Sequence, residues 1–232
     1  MKDGHPHIDC DFEKEAGISF KNPELLQTAL THRSFVNESN SAHEHNERLE
    51  FLGDAVLELV VTDHLFRNYP DAPEGALTAY RAALVNTAML SSIAQELGIN
   101  DCLRLSKGES KDTGRARSAI LANTFEAVLG ALYLDQGYAA AETFIQKHVV
   151  SKVAEVIETG AWKDSKSAFQ ELAQAKYGHT PRYEVLRSEG PDHDKHFVVG
   201  VYLGEVSVAE GEGNSKQEAE QNAAERALQE ET

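Results

Sequence analysis

The chain carries only two cysteines in 232 residues, Cys10 and Cys102. They have no metal-type spacing and are too few for a disulfide framework, so they are expected to be free thiols in a reducing, cytoplasmic setting. Long apolar runs are missing as well. No charge-free stretch approaches the ~20 residues of a membrane span, and no membrane partner is expected. The opening M-K-D-G-H-P-H-I-D-C-D lacks the basic-then-apolar order of a secretory leader. Positive charge is scarce too: 22 Lys and Arg stand against 38 Asp and Glu, a formal charge of −16. That deficit argues against an ordinary basic nucleic-acid surface, although net charge is a weak guide where acidic residues are gathered into a metal site. His5, His7, His43 and His45 lie in expected loops without completing ligands, and no metal is assigned to them.

The acidic residues themselves are ordered. In N-E-R-L-E-F-L-G-D-A-V-L, Glu47, Glu50 and Asp54 follow one another at spacings of three and four, which stacks them on one face of a helix. Around them the stretch is apolar on nearly every side (Leu49, Phe51, Leu52, Val56, Leu57, Leu59, Val60, Val61). A helix apolar all round is expected to be buried, and buried carboxylates that repel each other need a neutralising partner. The stretch 47–57 holds no lysine and a single arginine, Arg48, which makes a divalent cation the economical partner. A second run, A-I-L-A-N-T-F-E-A-V-L-G-A-L-Y-L-D at 119–135, repeats the pattern with Asn123 and Glu126 in its middle. Packed together, the two helices would converge Glu50, Asp54, Asn123 and Glu126, an all-oxygen set suited to Mg²⁺ or Mn²⁺. The alternative is ordinary polar positions facing solvent on amphipathic helices. Two such helices in one chain make it the weaker reading.

Helical signals dominate residues 13 to about 159. Asn22-Pro23 caps and opens one helix, another is expected from about Gly75 to Gly98, and a last one from about 139 to 158. Between them S-K-G-E-S-K-D-T-G-R-A-R reads as a loop whose Lys107, Lys111, Arg115 and Arg117 could contact phosphate. Residues 159–163 break the periodicity and predict a linker. Beyond it the period changes to α-β-β-β-α: a helix over 165–177, three alternating runs, and a final helix opened by Asn214-Ser215 with Glu218 in capping-box spacing. Together these predict an α+β multidomain chain. A flexible N-terminus (1–13) is followed by an all-α domain (14–158), the linker, and a small α-β-β-β-α domain with both helices on one face of the sheet (164–232).

The string E-R-L-E-F-L-G-D-A-V-L (Glu47 to Leu57) resembles the signature of the ribonuclease III family. The stretch 122–126 resembles that family's second acidic motif, and Pro73-Glu74-Gly75 with Leu77-Thr78 and Arg81 resembles the helix between them. The C-terminal unit resembles the double-stranded-RNA-binding domain. It does so through Gln170-Glu171, the G-P-D-H-D-K-H-F segment with His193 and Lys195, and G-E-G-N-S-K-Q-E-A-E-Q with Ser215 and Lys216.

The resemblance implies a Mg²⁺-dependent endonuclease, with Mn²⁺ as a substitute, that cuts double-stranded RNA to 5′-phosphate and 3′-hydroxyl ends in rRNA or mRNA processing. It also implies a homodimer. Residues matching Glu50, Asp54 and Glu126 would hold metal, Asp54 and Glu126 would be catalytic, and Glu47 and Glu74 would be accessory acids. Gln170, Glu171, His193, Lys195, Ser215 and Lys216 would meet the duplex, whose 2′-hydroxyls and phosphates are what such a module reads.

Two departures stand out. Asn123 occupies a position where most of the family has Asp; its carbonyl can still ligate, with one charge fewer. This keeps open a second reading, a catalytically weakened double-stranded-RNA-binding regulator. The C-terminal unit, with seven basic against fourteen acidic residues over 164–232, predicts weak, salt-sensitive binding. A small-substrate phosphohydrolase is a third reading, under which the duplex-binding module would be idle.

Overall fold

The computed structural model describes residues 12–39, 44–111, 113–159, 165–190 and 195–230. The chain divides into two compact units, residues 1–162 and 163–232. The expected linker lies outside the described residues, apart from Thr159, which ends a helix.

Unit one is helical: α1 (Phe12–Ala16), α2 (Pro23–Ala29), α3 (Arg33–Ser39), α4 (Glu47–Asn68), α5 (Glu74–Val85), α6 (Thr87–Glu96), α7 (Ile99–Cys102), α8 (Arg115–Gln136), α9 (Tyr138–His148) and α10 (Val153–Thr159). The first helix opens at Phe12, whose ring is buried in the core. As the sequence predicts, Asn22 caps α2, its Oδ1 accepting from the Glu24 amide at 3.1 Å, with Pro23 in the first turn. Two expected helices are instead broken. The one expected over 75–98 stops at Val85 and restarts at Thr87, because the Asn86 side chain accepts from the Met89 amide and so caps α6. The one expected over 139–158 is interrupted by a 3₁₀ turn at Val150–Lys152. Arg115 and Arg117, read as loop residues, belong to the first turn of α8.

The core is built round α8, where Leu121, Phe125, Val128, Leu129 and Leu132 are fully buried against Leu57, Val60, Val61 and Leu65 of α4 and Leu90 and Ile93 of α6. α4 does not meet the expectation of burial on all sides. Phe51 is 80% exposed and Phe66 72%, with Leu59 exposed between them. α8 and its neighbours cover one flank of α4; nothing among the described residues of this unit covers the other. The expectation of free thiols also fails. Cys102, buried in α7, is disulfide-bonded, and Cys10 lies outside the described residues. Composition does not reveal which sulfurs the fold brings within bonding reach, so cysteine usage no longer argues for a reducing compartment. No helix among the described residues is long and apolar enough to cross a membrane.

Unit two runs α11 (Ser165–Tyr177), β1 (Arg182–Glu189), β2 (His196–Leu203), β3 (Val206–Gly213) and α12 (Lys216–Glu230). The strands form an antiparallel sheet in chain order, with Tyr183 opposite Val201 and Val199 opposite Gly211. Both helices pack on one face over Phe169, Val201, Ala209, Ala223, Ala224 and Ala227. α12 lies very close to β3: a Cβ on Gly211 would run into the Ala223 amide and the Ala219 carbonyl. The predicted capping box forms, with Glu218 N–H donating to Ser215 Oγ at 3.1 Å and Asn214 N–H to Glu218 Oε2 at 2.8 Å.

Candidate active site

Backbone contact between α4 and α8 positions the acidic residues. Gly53 and Gly130 meet at the crossing, where a Cβ on either would strike the other helix's backbone. This places Glu50 and Asp54, which flank Gly53, beside Glu126 and Asn123 on the facing helix. The start of α4 is pinned by Asn46, 2% exposed. Its backbone N–H donates to the Thr31 carbonyl at 3.0 Å and its amide nitrogen to the Ala29 carbonyl at 3.2 Å. The same nitrogen reaches Thr124 Oγ1 of α8 at 3.5 Å. A buried, multiply bonded asparagine one residue before Glu47 fixes the rotation of the acidic face.

The carboxylates act on one another. Burial, then the charges of Asp54, Glu50 and Glu58, push the Glu126 carboxyl up to about 7. Burial, then Glu47 and Asp54, raise that of Glu50, while a hydrogen bond from Asn123 opposes the rise. Glu50 and Glu126 are half-buried, and Asp54 and Asn123 are exposed. The structure therefore brings Glu50, Asp54, Asn123 and Glu126 together as the sequence predicts. They meet at the rim of the helix pair, short of full burial, where an ion or a substrate phosphate has access. Among the described residues no three His, Cys, Asp or Glu side chains form a ready-made cage for a metal ion. The donor chemistry nonetheless suits a hard cation: three carboxylates and one amide, all oxygen ligands, with only negative charges acting on Glu126.

The accessory acids diverge. Glu47 pairs with Arg33 at 3.2 Å and lies 3.8 Å from His45 Nδ1; its charge reaches Glu50. Glu74 does not join the cluster. It opens α5, accepts the Thr78 hydroxyl at 2.9 Å, and lines a cavity of ≈ 260 Å³ with Thr62, Leu65, Leu77 and Arg81. Glu58 is the member the sequence reading missed, although it lies four residues past Asp54 and continues the same spacing. Its carboxylate pairs with Arg81 at 3.0 Å.

The basic residues expected to contact phosphate are divided. Lys107 and Lys111 are exposed, whereas Arg117 Nε is engaged by Asn100 Oδ1 at 2.9 Å. In unit two, Gln170 and Glu171 are exposed on α11 and Lys216 is exposed at the first residue of α12. Ser215 spends its hydroxyl on the helix cap, and Lys195 immediately precedes β2. His193 lies outside the described residues. Lys166 ties α11 to α12 through Glu220 at 2.6 Å, which fixes the helices that carry these groups.

Comparison with known proteins agrees with this layout. A family model described as Ribonuclease-III-like matches residues 22–153, and one described as double-stranded RNA binding motif matches residues 165–231. A ribonuclease 3 of Bdellovibrio bacteriovorus is 47% identical over 218 residues, 94% of this chain and 93% of its own. One of Borreliella afzelii is 44% identical over 218 residues, 94% and 89% respectively. The solved nuclease domain of a ribonuclease III from Campylobacter jejuni, described for structural flexibility in a region involved in dimer formation, matches with a TM-score of 0.56 at 38% identity. That match covers 61% of this chain and 95% of that one. With its paired acidic helices inside the first match and its α-β-β-β-α unit inside the second, the chain belongs to the ribonuclease III family of endoribonucleases.

Proposed function

We propose that this enzyme is a Mg²⁺-dependent endoribonuclease that cuts double-stranded RNA to 5′-phosphate and 3′-hydroxyl ends, in the processing of rRNA or mRNA precursors. The observation that carries the proposal is the convergence of Glu50, Asp54, Asn123 and Glu126 at the α4–α8 crossing, where burial and the neighbouring carboxylates push the Glu126 carboxyl up to about 7. Glu50, Asp54 and Glu126 would hold the ion through charged oxygens and Asn123 through a neutral one. The chemistry supplied by bound Mg²⁺ is activation of the attacking water and stabilisation of the leaving 3′-oxygen. Glu126 must shed its proton to serve as a ligand, so metal binding and deprotonation are linked. Gln170, Lys195 and Lys216 supply duplex contacts from unit two, with Lys216 at the first residue of α12, where the positive end of the helix dipole favours a phosphate.

The working unit in this reading is a homodimer. The exposed side of α4 carries Phe51, Leu59 and Phe66, with Leu134 of α8 also exposed. A groove of ≈ 620 Å³ takes Phe51, Leu52 and Leu134 on its apolar side and Glu44, Glu47 and Arg48 on its charged side. An apolar strip of this kind favours self-association. A second reading, a duplex-binding regulator with weakened catalysis, draws on Asn123, whose side chain bonds Glu50 without adding a charge. The test is incubation with long duplex RNA and with a single strand, each with and without Mg²⁺. Cutting of the duplex alone, only with Mg²⁺ and with products that a 5′-phosphate-dependent exonuclease degrades, is the expected result. Retention of duplex without cutting supports the regulator.

A further inference from the structure

The acidic row of α4 continues past Asp54 to Glu58, and arginines from other helices close it at both ends. Arg33 of α3 meets Glu47 at 3.2 Å, and Arg81 of α5 meets Glu58 at 3.0 Å. Arg81 is the more firmly held of the two. Its Nε pairs with Glu58 and its Nη1 donates to Thr62 Oγ1 at 3.0 Å, one turn further along α4. A planar guanidinium engaged on two successive turns is fixed in orientation as well as charge, which an ammonium on a flexible stem is not. Both members of the Arg81–Glu58 pair are about one-third exposed, whereas Arg33 is mostly in solvent.

Glu58 needs such a restraint. It stands four residues from Asp54 on the same helical face and is near enough to act on Glu126. An unrestrained carboxylate there would be a fourth charged ligand at one edge of the cluster. It would draw a cation along α4, away from Asn123 and toward α5. We propose that Arg81 is a positioning residue that holds Glu58 out of the cation shell and so confines the ion to Glu50, Asp54 and Glu126; this rests on the metal-dependent reading above. The consequence is counter-intuitive. Removing Arg81 deletes a positive charge and releases a negative one, so the RNA-free protein should bind divalent ions more tightly while cutting RNA more slowly.

The experiment is a titration of the full-length, RNA-free protein with Mn²⁺, followed by electron paramagnetic resonance of the free ion, with thermal unfolding of each variant as a check on folding. Arg81→Met should bind Mn²⁺ roughly three- to thirtyfold more tightly than wild type, the scale of unit-charge changes at such separations in a partly buried site. Arg81→Lys, which keeps the charge but loses the fork that spans Glu58 and Thr62, should fall between wild type and Arg81→Met. Glu58→Gln leaves Arg81 uncompensated beside the cluster and should weaken Mn²⁺ binding, a readout that survives if Arg81→Met fails to fold. Wild-type binding that neither Arg81→Met nor Glu58→Gln alters overturns this inference and leaves the metal-dependent reading standing. A wild type that binds no Mn²⁺ at millimolar concentration overturns both.

Discussion

Gly53 and Gly130 sit face to face where α4 crosses α8. A Cβ built on Gly53 would lie 2.8 Å from the Gly130 amide nitrogen, and one on Gly130 would lie 3.1 Å from the Gly53 nitrogen. The atoms obstructing each are backbone, which cannot rotate away. The close approach of the two glycines therefore governs how near Glu50 and Asp54 on one helix come to Glu126 on the other.

Gly53→Ala should therefore push the helices apart and damage structure and catalysis together. Overpacking of this kind costs about 1–3 kcal/mol, read as a drop of several degrees in Tm, and RNA cutting should fall far more than the remaining folded fraction explains. Gly75→Ala is the control. It lies in the first turn of α5, where an added Cβ would meet nothing within 4 Å and the backbone has no positive φ, so it should leave Tm unchanged or raise it slightly. Equal behaviour of the two variants in thermal unfolding would show that the crossing tolerates a side chain and does not set the helix spacing.

Glu126 gives a pH-dependent test with a definite sign. Its carboxyl is raised in the folded protein from 4.5 to about 7, so between those values the folded state binds more protons than the unfolded one. Its contribution to stability is fully present below about 4.5 and is lost as pH rises through about 7. In Mg²⁺-free buffer the stability of wild type relative to Glu126→Gln should fall between about pH 5 and pH 8. His32, His64 and His148 are lowered, chiefly by burial, and favour stability in the opposite direction, but they are common to both proteins and cancel in the difference. Adding Mg²⁺ should raise the wild-type Tm more at about pH 8 than at about pH 5. Glu126→Gln should also lose cutting while retaining duplex. A flat difference between the two proteins across this range would remove Glu126 from the cluster.

How much of this was legible in the sequence depends on the range of the interaction. The three–four spacing of Glu47, Glu50 and Asp54 is a local property of a helix, so the shared face could be read directly. So could the caps at Asn22 and Ser215, which act within one turn. Asn86 shows the limit: its cap on the Met89 amide is just as local, but in L-V-N-T-A-M it reads equally as a helical surface residue, and the pattern does not choose between the two. Glu58 continued a visible spacing but its role needed Arg81, twenty-three residues away and on another helix. Phe51 and Leu59 look like core residues in any window, because hydrophobicity alone does not say whether the covering surface lies within the same chain.

Phe51 makes that last point testable. If the apolar strip on α4 is covered by a second copy, Phe51→Glu places a charge in the covered interface and should convert a dimer to monomers at micromolar concentration. Because Phe51 is 80% exposed in the single chain, the fold of each copy should survive with helical circular dichroism unchanged. Sedimentation velocity of both proteins decides the matter. A wild type that is already monomeric, or a variant that stays dimeric, would show that the strip serves some other purpose.

Asn123 is the neutral member of the acidic cluster and the position where substitution is most informative. In the RNA-free protein its side chain donates to Glu50 and partly offsets the repulsion that raises that carboxyl. Asn123→Asp removes the donor and adds a fourth negative charge, so two effects oppose each other. Without metal, Glu50 should be driven further up and the site should hold its protons more tightly. With metal, a charged oxygen replaces a neutral one and Mg²⁺ should bind more strongly. The second effect should win at about pH 8, above the value of about 7 to which Glu126 is pushed, and shrink at about pH 6, where Mg²⁺ must displace more protons. The expected outcome at the higher pH is a several-fold lower Mg²⁺ concentration for half-maximal cutting by Asn123→Asp. Mn²⁺ tolerates neutral ligands better, so it should help the wild type more than the variant. Cleavage titrations of both proteins with both metals at the two pH values measure this. Coincident Mg²⁺ curves would place Asn123 outside the metal shell, as a residue that orients Glu50 and leaves Glu126 as the only ligand from α8.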